Sequence, residues 1–194
     1  MKRGLLLLLM LVSGYQFVYS QIQISLVDII ENNGVMFNQH TDKHFSWWID
    51  KNSSYVVVPI KGLTQKDIYQ KLLLALNDCY MNIKQVATGI EYEAITINAY
   101  HNSNRSLYLW NNQHVVLDGF KYRLSFKMKD GKLRLDTPSI IMCDYHYTKK
   151  GKTESYSAGI DFFPKSSIDF AKEMDNIYRK ILLIFSKNIK KDDW

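Results

Sequence analysis

The chain has only two cysteines in 194 residues, Cys79 and Cys143, and no C-x-x-C pair. That excludes a disulfide-dense scaffold and a dithiol redox motif. The sequence also lacks H-E-x-x-H, G-x-S-x-G and a glycine-rich phosphate loop. The signatures of a zinc peptidase, a serine hydrolase and a nucleotide-binding loop are therefore missing. The apolar run from Gly4 to Val12 fades through Ser13, Gly14 and Tyr15, too soon to cross about 30 Å of hydrocarbon. No internal repeat, low-complexity tract or linker divides the chain.

What the N-terminus does contain is a short positive region, Lys2 and Arg3, then the Leu-rich run, then Val18-Tyr19-Ser20. This pattern predicts a secretory signal over residues 1–20, cut before Gln21, and places the protein in the periplasm or cell envelope with no transmembrane segment left after cleavage. The formal charge is +6; without Lys2 and Arg3, the 25 basic residues become 23 against 19 acidic ones, leaving +4. That excess is milder and less clustered than a dedicated nucleic-acid binder carries. In an oxidising compartment Cys79 and Cys143 have two readings: a bridge, if the helix of one packs on the strand of the other, or two buried free thiols acting as small apolar residues.

Residues 21–53 read as an N-terminal arm. An alternating start (Gln21 to Ile29) suggests an edge strand, and Phe45, Trp47 and Trp48 suggest packing on the body. Tyr55 to Ile60 is a β-branched strand. Leu63-Thr-Gln-Lys-Asp-Ile68 follows, with Thr64 and Asp67 placed for a capping box and Leu63 and Ile68 for a hydrophobic staple. Ile68, Leu72, Ala75, Leu76 and Cys79 recur at helical spacing and predict a helix to about Tyr80. Strands are predicted over Tyr92–Tyr100, Leu107–Trp110 and His114–Leu117, with turns at Asn102–Arg105 and Asn111–Gln113. A second helix is predicted after Pro164, capped by Ser166 with Asp169, its face set by Phe170, Met174, Ile177, Ile181 and Ile184.

The most legible stretch is Lys121 to Leu135. Asp130-Gly131 suits a two-residue type I′ turn, which pairs Lys129 with Lys132, Met128 with Leu133, Lys127 with Arg134 and Phe126 with Leu135. Alternation then puts Leu124, Phe126, Met128, Leu133 and Leu135 on a core face. Arg123, Lys127, Lys129, Lys132 and Arg134 fall on the opposite face, with Asp136 as the acid among them. A sheet with one apolar face and two amphipathic helices is solved by packing both helices on that face. The expected fold is α+β, an antiparallel sheet in the order β-α-β4-α, with the single domain spanning residues 54–190.

GLTQKDIYQKLLLALNDCY, followed by an Ile-rich strand and YRLSFKMKDGKLRLDTPSI, resembles a domain-of-unknown-function family of secreted Bacteroidetes-type proteins. The match spans about residues 55–145. It includes the early helical Tyr69 and the hairpin Lys129-Asp130-Gly131-Lys132-Leu133-Arg134-Leu135. The family's usual late helical Trp is absent, Leu74 to Leu76 standing there, and Asn82 to Gly89 replaces an acidic, glycine-containing segment. The resemblance implies a fold like that of the TATA-binding protein and supplies no catalytic residue. In the namesake of that fold, the open sheet face binds DNA.

The outer face therefore has two readings. In one it is a ligand surface of Arg123, Lys127, Lys132 and Arg134 with Tyr108 and Trp110, joined by Tyr92 and Tyr100. In the other it is solvated or covered by the arm. Lys129 opposite Lys132 and Lys127 opposite Arg134 are like-charge pairs, mildly destabilising unless something offsets them. His40 and His44, four apart, read as loop histidines, and His101, His114 and His146 carry no assigned role. No cofactor or metal is expected. The expected function is a secreted, non-enzymatic binding module whose partner is an unidentified protein or envelope polymer, not nucleic acid. A polyanion or carbohydrate binder using the basic face, and a hydrolase with an unrecognised site, are the other two classes.

Overall fold

The computed structural model describes residues 22–40, 45–109, 113–163 and 170–190. The signal segment, His44, Trp110 and the Ser166–Asp169 cap lie outside them. In chain order the elements are α1 (Leu26–Glu31), β1 (Phe37–Gln39), β2 (Phe45–Trp47), β3 (Tyr55–Pro59), α2 (Gln65–Cys79) and the short α3 (Ile83–Val86). Strands β4 (Ala87–Ile90), β5 (Ala94–Tyr108), β6 (His114–Lys129), β7 (Lys132–Asp136), β8 (Ser139–Lys149) and β9 (Lys152–Ala158) follow, then a 3-10 turn at Ile160–Phe162 and α4 (Phe170–Lys190). This is the α+β order expected, with six strands between the two long helices instead of four. None of the helices among the described residues is long and apolar enough to cross a membrane.

The sheet is organised around β6. One edge of β6 pairs with β5 along most of its length. The other edge pairs first with β8, over Val116–Arg123, and then with β7, over Phe126–Lys129. β3 flanks β7 and β9 flanks β8, all antiparallel. The predicted hairpin register is the observed one: Lys129 opposite Lys132, Met128 opposite Leu133, Lys127 opposite Arg134, Phe126 opposite Leu135. Its inner residues Leu124, Phe126, Met128, Leu133 and Leu135 are buried together with Val56, Val58, Ile95 and Ile97.

Both helices cover that inner face. Thr64 caps α2 as expected: its Oγ1 accepts from Asp67 N–H at 3.2 Å, and Asp67 Oδ2 accepts from Thr64 N–H at 3.0 Å. The Thr64 hydroxyl also donates to Asp67 Oδ2, at 2.6 Å, and that bond first, the Thr64 N–H second, hold the Asp67 carboxyl below its ordinary value of 3.8. A depressed carboxyl stabilises the fold fully above the unfolded value, and the contribution is lost as pH falls through the folded one. Asp67→Asn is therefore expected to flatten part of the acid limb of a thermal-stability profile and leave its neutral-to-basic limb parallel to that of the parent. α4 sits with Met174, Tyr178, Ile181 and Phe185 inward. Ile177 and Ile184 are at the margin, so its buried stripe is rotated from the predicted one. Tyr178 is the hub: its ring lies 5.2 Å from Phe37, 5.7 Å from Phe126 and 6.1 Å from Trp47, and its hydroxyl donates to the Asp136 carbonyl.

Four local expectations are corrected. Asn102–Arg105 is no turn but a register shift inside continuous β5, and Leu117/Gly119 is another inside β6. Pairing on both sides of β6 overrides local turn preference, and a bulge absorbs the misfit. Asp130-Gly131 is not type I′, because only Gly131 has positive φ, 66°. Asp130 instead uses Oδ1 to accept the Gln65 N–H at 2.8 Å, helping to cap α2. The turn with both residues at positive φ is Lys150-Gly151. Residues 22–24 add only a bridge beside β3, after which Ser25 caps α1. Strand β4 was not predicted; Ala-Thr-Gly-Ile carries little β signal.

Candidate functional site

The outer face of the β6–β7 hairpin is cationic as predicted. Lys127, Lys129 and Lys132 are exposed, while Arg134 is partly covered. Among the described residues, none of the three lysines forms an ion pair or a side-chain hydrogen bond. Arg134 is more committed: Nε donates to Asp136 Oδ1 at 2.5 Å, and its guanidinium carbon lies 3.7 Å from the centre of the Tyr55 ring. The four cations line an open depression of about 1010 Å³, together with Gln65, Ile90 and the two acids Glu93 and Asp130. Arg123 stands apart from that depression, its Nε donating to Asn98 Oδ1 at 2.9 Å. The predicted ligand set is thus split, with Lys127, Lys132 and Arg134 together and Arg123 on a neighbouring row.

The described residues of the arm do not roof this face. Ile24 N–H donates to the Val57 carbonyl at 3.1 Å and Val57 N–H to the Ile22 carbonyl at 3.0 Å, which seals the β3 edge. Beyond that point Ile29, Met36, Phe37, Phe45 and Trp47 join the core on the helix side. The described acids of the arm therefore do not offset the like-charge pairs.

The aromatic residues behave differently from expectation. Tyr92 is not on the outer face: it sits in a turn at φ 64°, its ring 5.3 Å from Tyr69 of α2. Tyr100 is outward, and its ring covers Gly119, where a Cβ would come within 2.6 Å of it. Only the backbone of Tyr108 is described, in β5, and Trp110 lies outside the described residues.

A second polar group, unforeseen from sequence, occupies the β8–β9 end of the same outer face. Asp118 Oδ1 is 2.6 Å from His146 Nδ1, and Ser157 Oγ donates to Asp144 Oδ1 at 2.5 Å. Partial burial and the neighbouring Asp144 carboxylate push the Tyr100 phenol up to about 12. The only sequence sign of this network was the alternation of Asp144 and His146 on one strand. Asp118 fixes the His146 ring, but no serine or cysteine among the described residues hydrogen-bonds to that ring. No described group of three or more His, Cys, Asp or Glu residues could hold a metal ion. His40 Nε2 is 2.8 Å from Ser46 Oγ. Cys79 and Cys143 are both free thiols, not bridged. Burial pushes the Cys143 thiol up to about 12 and raises that of Cys79, which makes both poor thiolates.

No protein-family model matches the chain, and no curated protein does. Among solved structures it is similar to a TBP-like protein from Parabacteroides distasonis ATCC 8503, with TM-score 0.34 and 15% identity over 71% of this chain and 86% of that one. It is also similar to a DUF4468 family protein from Bacteroides ovatus ATCC 8483, with TM-score 0.33 and 11% identity over 70% of this chain and 84% of that one. Both come from the bacterial group to which the sequence resemblance pointed. At TM-scores of this size neither superposition carries function or partner across, and the α+β assignment rests on the sheet and its two helices.

Proposed function

We propose that the protein is a secreted, non-catalytic binding module that takes an anionic polymer of the cell envelope onto the hairpin end of its outer sheet face. One observation carries this reading. Lys127, Lys129 and Lys132 stand exposed without an ion-pair partner among the described residues, around an open depression that the described part of the arm leaves uncovered. Unpaired like charges held opposite each other cost stability, and a polyanion is the ligand whose binding offsets that cost. The signal-like N-terminus favours an envelope polymer over nucleic acid as the source of the negative charge.

The test is binding to dextran sulfate, with neutral dextran as the control for sugar contacts. If four cations each release a counterion, log K is expected to fall with log salt at a slope of roughly −3 to −3.5. Between 50 and 200 mM salt the affinity then drops by about 50- to 150-fold. Affinity indifferent to salt, or equal for the neutral polymer, would remove the electrostatic reading.

A further inference from the structure

Three strands end the sheet, and they are treated differently. The β3 edge is sealed by Ile22–Ile24. The β4 edge is four residues long and contains Gly89. The third, β9, is seven residues long, and every side chain from Lys152 to Ser157 is exposed. Its ladder with β8 runs from Cys143/Ala158 to Lys149/Lys152 without a register shift, so no bulge bends it away. It contains no proline; its charges are Lys152 at its first residue and Glu154 near its centre, the latter already bonded to two phenols. Exposed edges of this length are ordinarily blunted by bulges, prolines, central charges or a covering segment, because their free N–H and C=O groups template further pairing. Among the described residues β9 pairs only with β8.

The side chains beside this edge are adhesive. On the helix-side face, beyond the helices, four rings stand nearly parallel: Tyr147 and Tyr156 at 5.4 Å and 5°, Tyr156 and Tyr145 at 5.7 Å and 22°, Tyr145 and Phe162 at 6.0 Å and 23°. Tyr156 is 42% exposed and Phe162 44%. Glu154 Oε2 accepts from both phenols, Tyr147 at 2.8 Å and Tyr156 at 2.5 Å. Tyr147 lies directly opposite Glu154 across the ladder, so the structure already contains a Tyr–Glu cross-strand pair.

We propose that β9 is the seam of a symmetric dimer, in which two copies of this chain pair β9 to β9 antiparallel about Ser155. A two-fold axis normal to the sheet keeps each side chain on its own face, so opposed residues must share parity. Only the register centred on Ser155 pairs all seven residues of the strand. It sets Glu154 opposite Tyr156 of the second copy, repeating the Tyr147–Glu154 pair, and it sets Thr153 opposite Ser157. Lys152 falls opposite Ala158, so no like charges meet. Centring on Glu154 would oppose two carboxylates, which is unfavourable. Centring on Tyr156 or Thr153 leaves part of the strand unpaired. Charge and strand length together therefore select this register for two copies of β9. The seam lies away from the hairpin depression, so it stands independently of the polyanion reading.

Sedimentation velocity on the purified chain is expected to give twice the monomer mass. Ser155→Pro is expected to return the mass to that of the monomer with the circular dichroism spectrum kept. In a Cys79→Ser background, Ser155→Cys is expected to give a disulfide-linked dimer on a non-reducing gel, because directly opposed residues sit about 4.5–5.5 Å apart at Cα. Lys129→Cys in the same background is the negative control. A parent that sediments as a monomer at every concentration overturns the proposal. So does a dimer in which Ser155→Cys fails to cross-link, and so does a folded Ser155→Pro variant that stays dimeric; if that variant fails to fold, the cross-link decides.

Discussion

Replacing Asp175 with alanine is expected to lower the unfolding free energy by about 3–5 kcal/mol, the loss typical of a buried ion pair stripped of one partner. Asp175 is 7% exposed on α4 and is the fixed point of the N-terminal arm. Its Oδ1 accepts the Met36 N–H at 3.0 Å. Arg179, one turn on, donates to the same carboxylate at 3.1 Å and to the carbonyls of Ile30 at 2.6 Å and Gly34 at 3.1 Å. Without the carboxylate, a guanidinium that is only 22% exposed loses its counter-charge, and a buried amide is left unpaired. The arm supplies Trp47, Phe37 and Met36 to the core around Tyr178, so its loosening exposes large apolar groups. For a chain of this size the loss amounts to about 6–20 °C in Tm, readable by scanning calorimetry. Asp175→Ala with Arg179→Ala is expected to cost at least about 1 kcal/mol less than the sum of the two, the coupling expected within one network. A strictly additive pair would mean that the carboxylate and the guanidinium act separately.

That clip also shows where sequence reading stops. The capping box at Thr64, the hairpin register and the inner apolar face were legible because each depends on residues within a few positions of one another. The clip joins Met36 to Asp175 across 139 residues, and no periodicity in either segment announces it. The same holds for the continuous strands: Asn102-Ser-Asn-Arg105 has local turn chemistry, yet β6 pairs with the residues on both sides of it. Tyr92 was expected beside the lysines by alternation, but the strand begins only at Ala94 and the ring turns back to α2. On the outer face, residue types and side were readable, and so were the like-charge oppositions. What the alternation could not give was the separation of Arg123 from the depression, the engagement of Arg134 by Tyr55 and Asp136, or the Asp118–His146 pair. These depend on which strands meet, not on what each strand contains.

Arg134 is accordingly the wrong residue to reverse when probing the ligand face, since glutamate there would lie beside Asp136 and lose the Tyr55 ring. Lys127→Glu with Lys129→Glu is the sharper change. In the observed register these positions oppose Arg134 and Lys132, so both like-charge pairs become opposite-charge pairs, each favourable by roughly 0.2–1 kcal/mol. The double variant is expected to unfold at the same temperature as the parent or slightly higher. Its affinity for dextran sulfate at 50 mM salt is expected to fall at least about 100-fold, and the slope against log salt to approach zero, because the two remaining cations then face the two new carboxylates together with Glu93 and Asp130. A rise in stability joined to a loss of binding is the outcome that distinguishes a ligand site from a solvated surface. If the lysines only keep the sheet wet, reversal improves the fold and binding is weak both before and after. If a surface unrelated to the hairpin holds the polymer, the variant binds as the parent does with the slope unchanged. Lys127→Gln with Lys129→Gln separates loss of positive charge from repulsion by the new carboxylates: it is expected to roughly halve the slope, since two of the four cations remain.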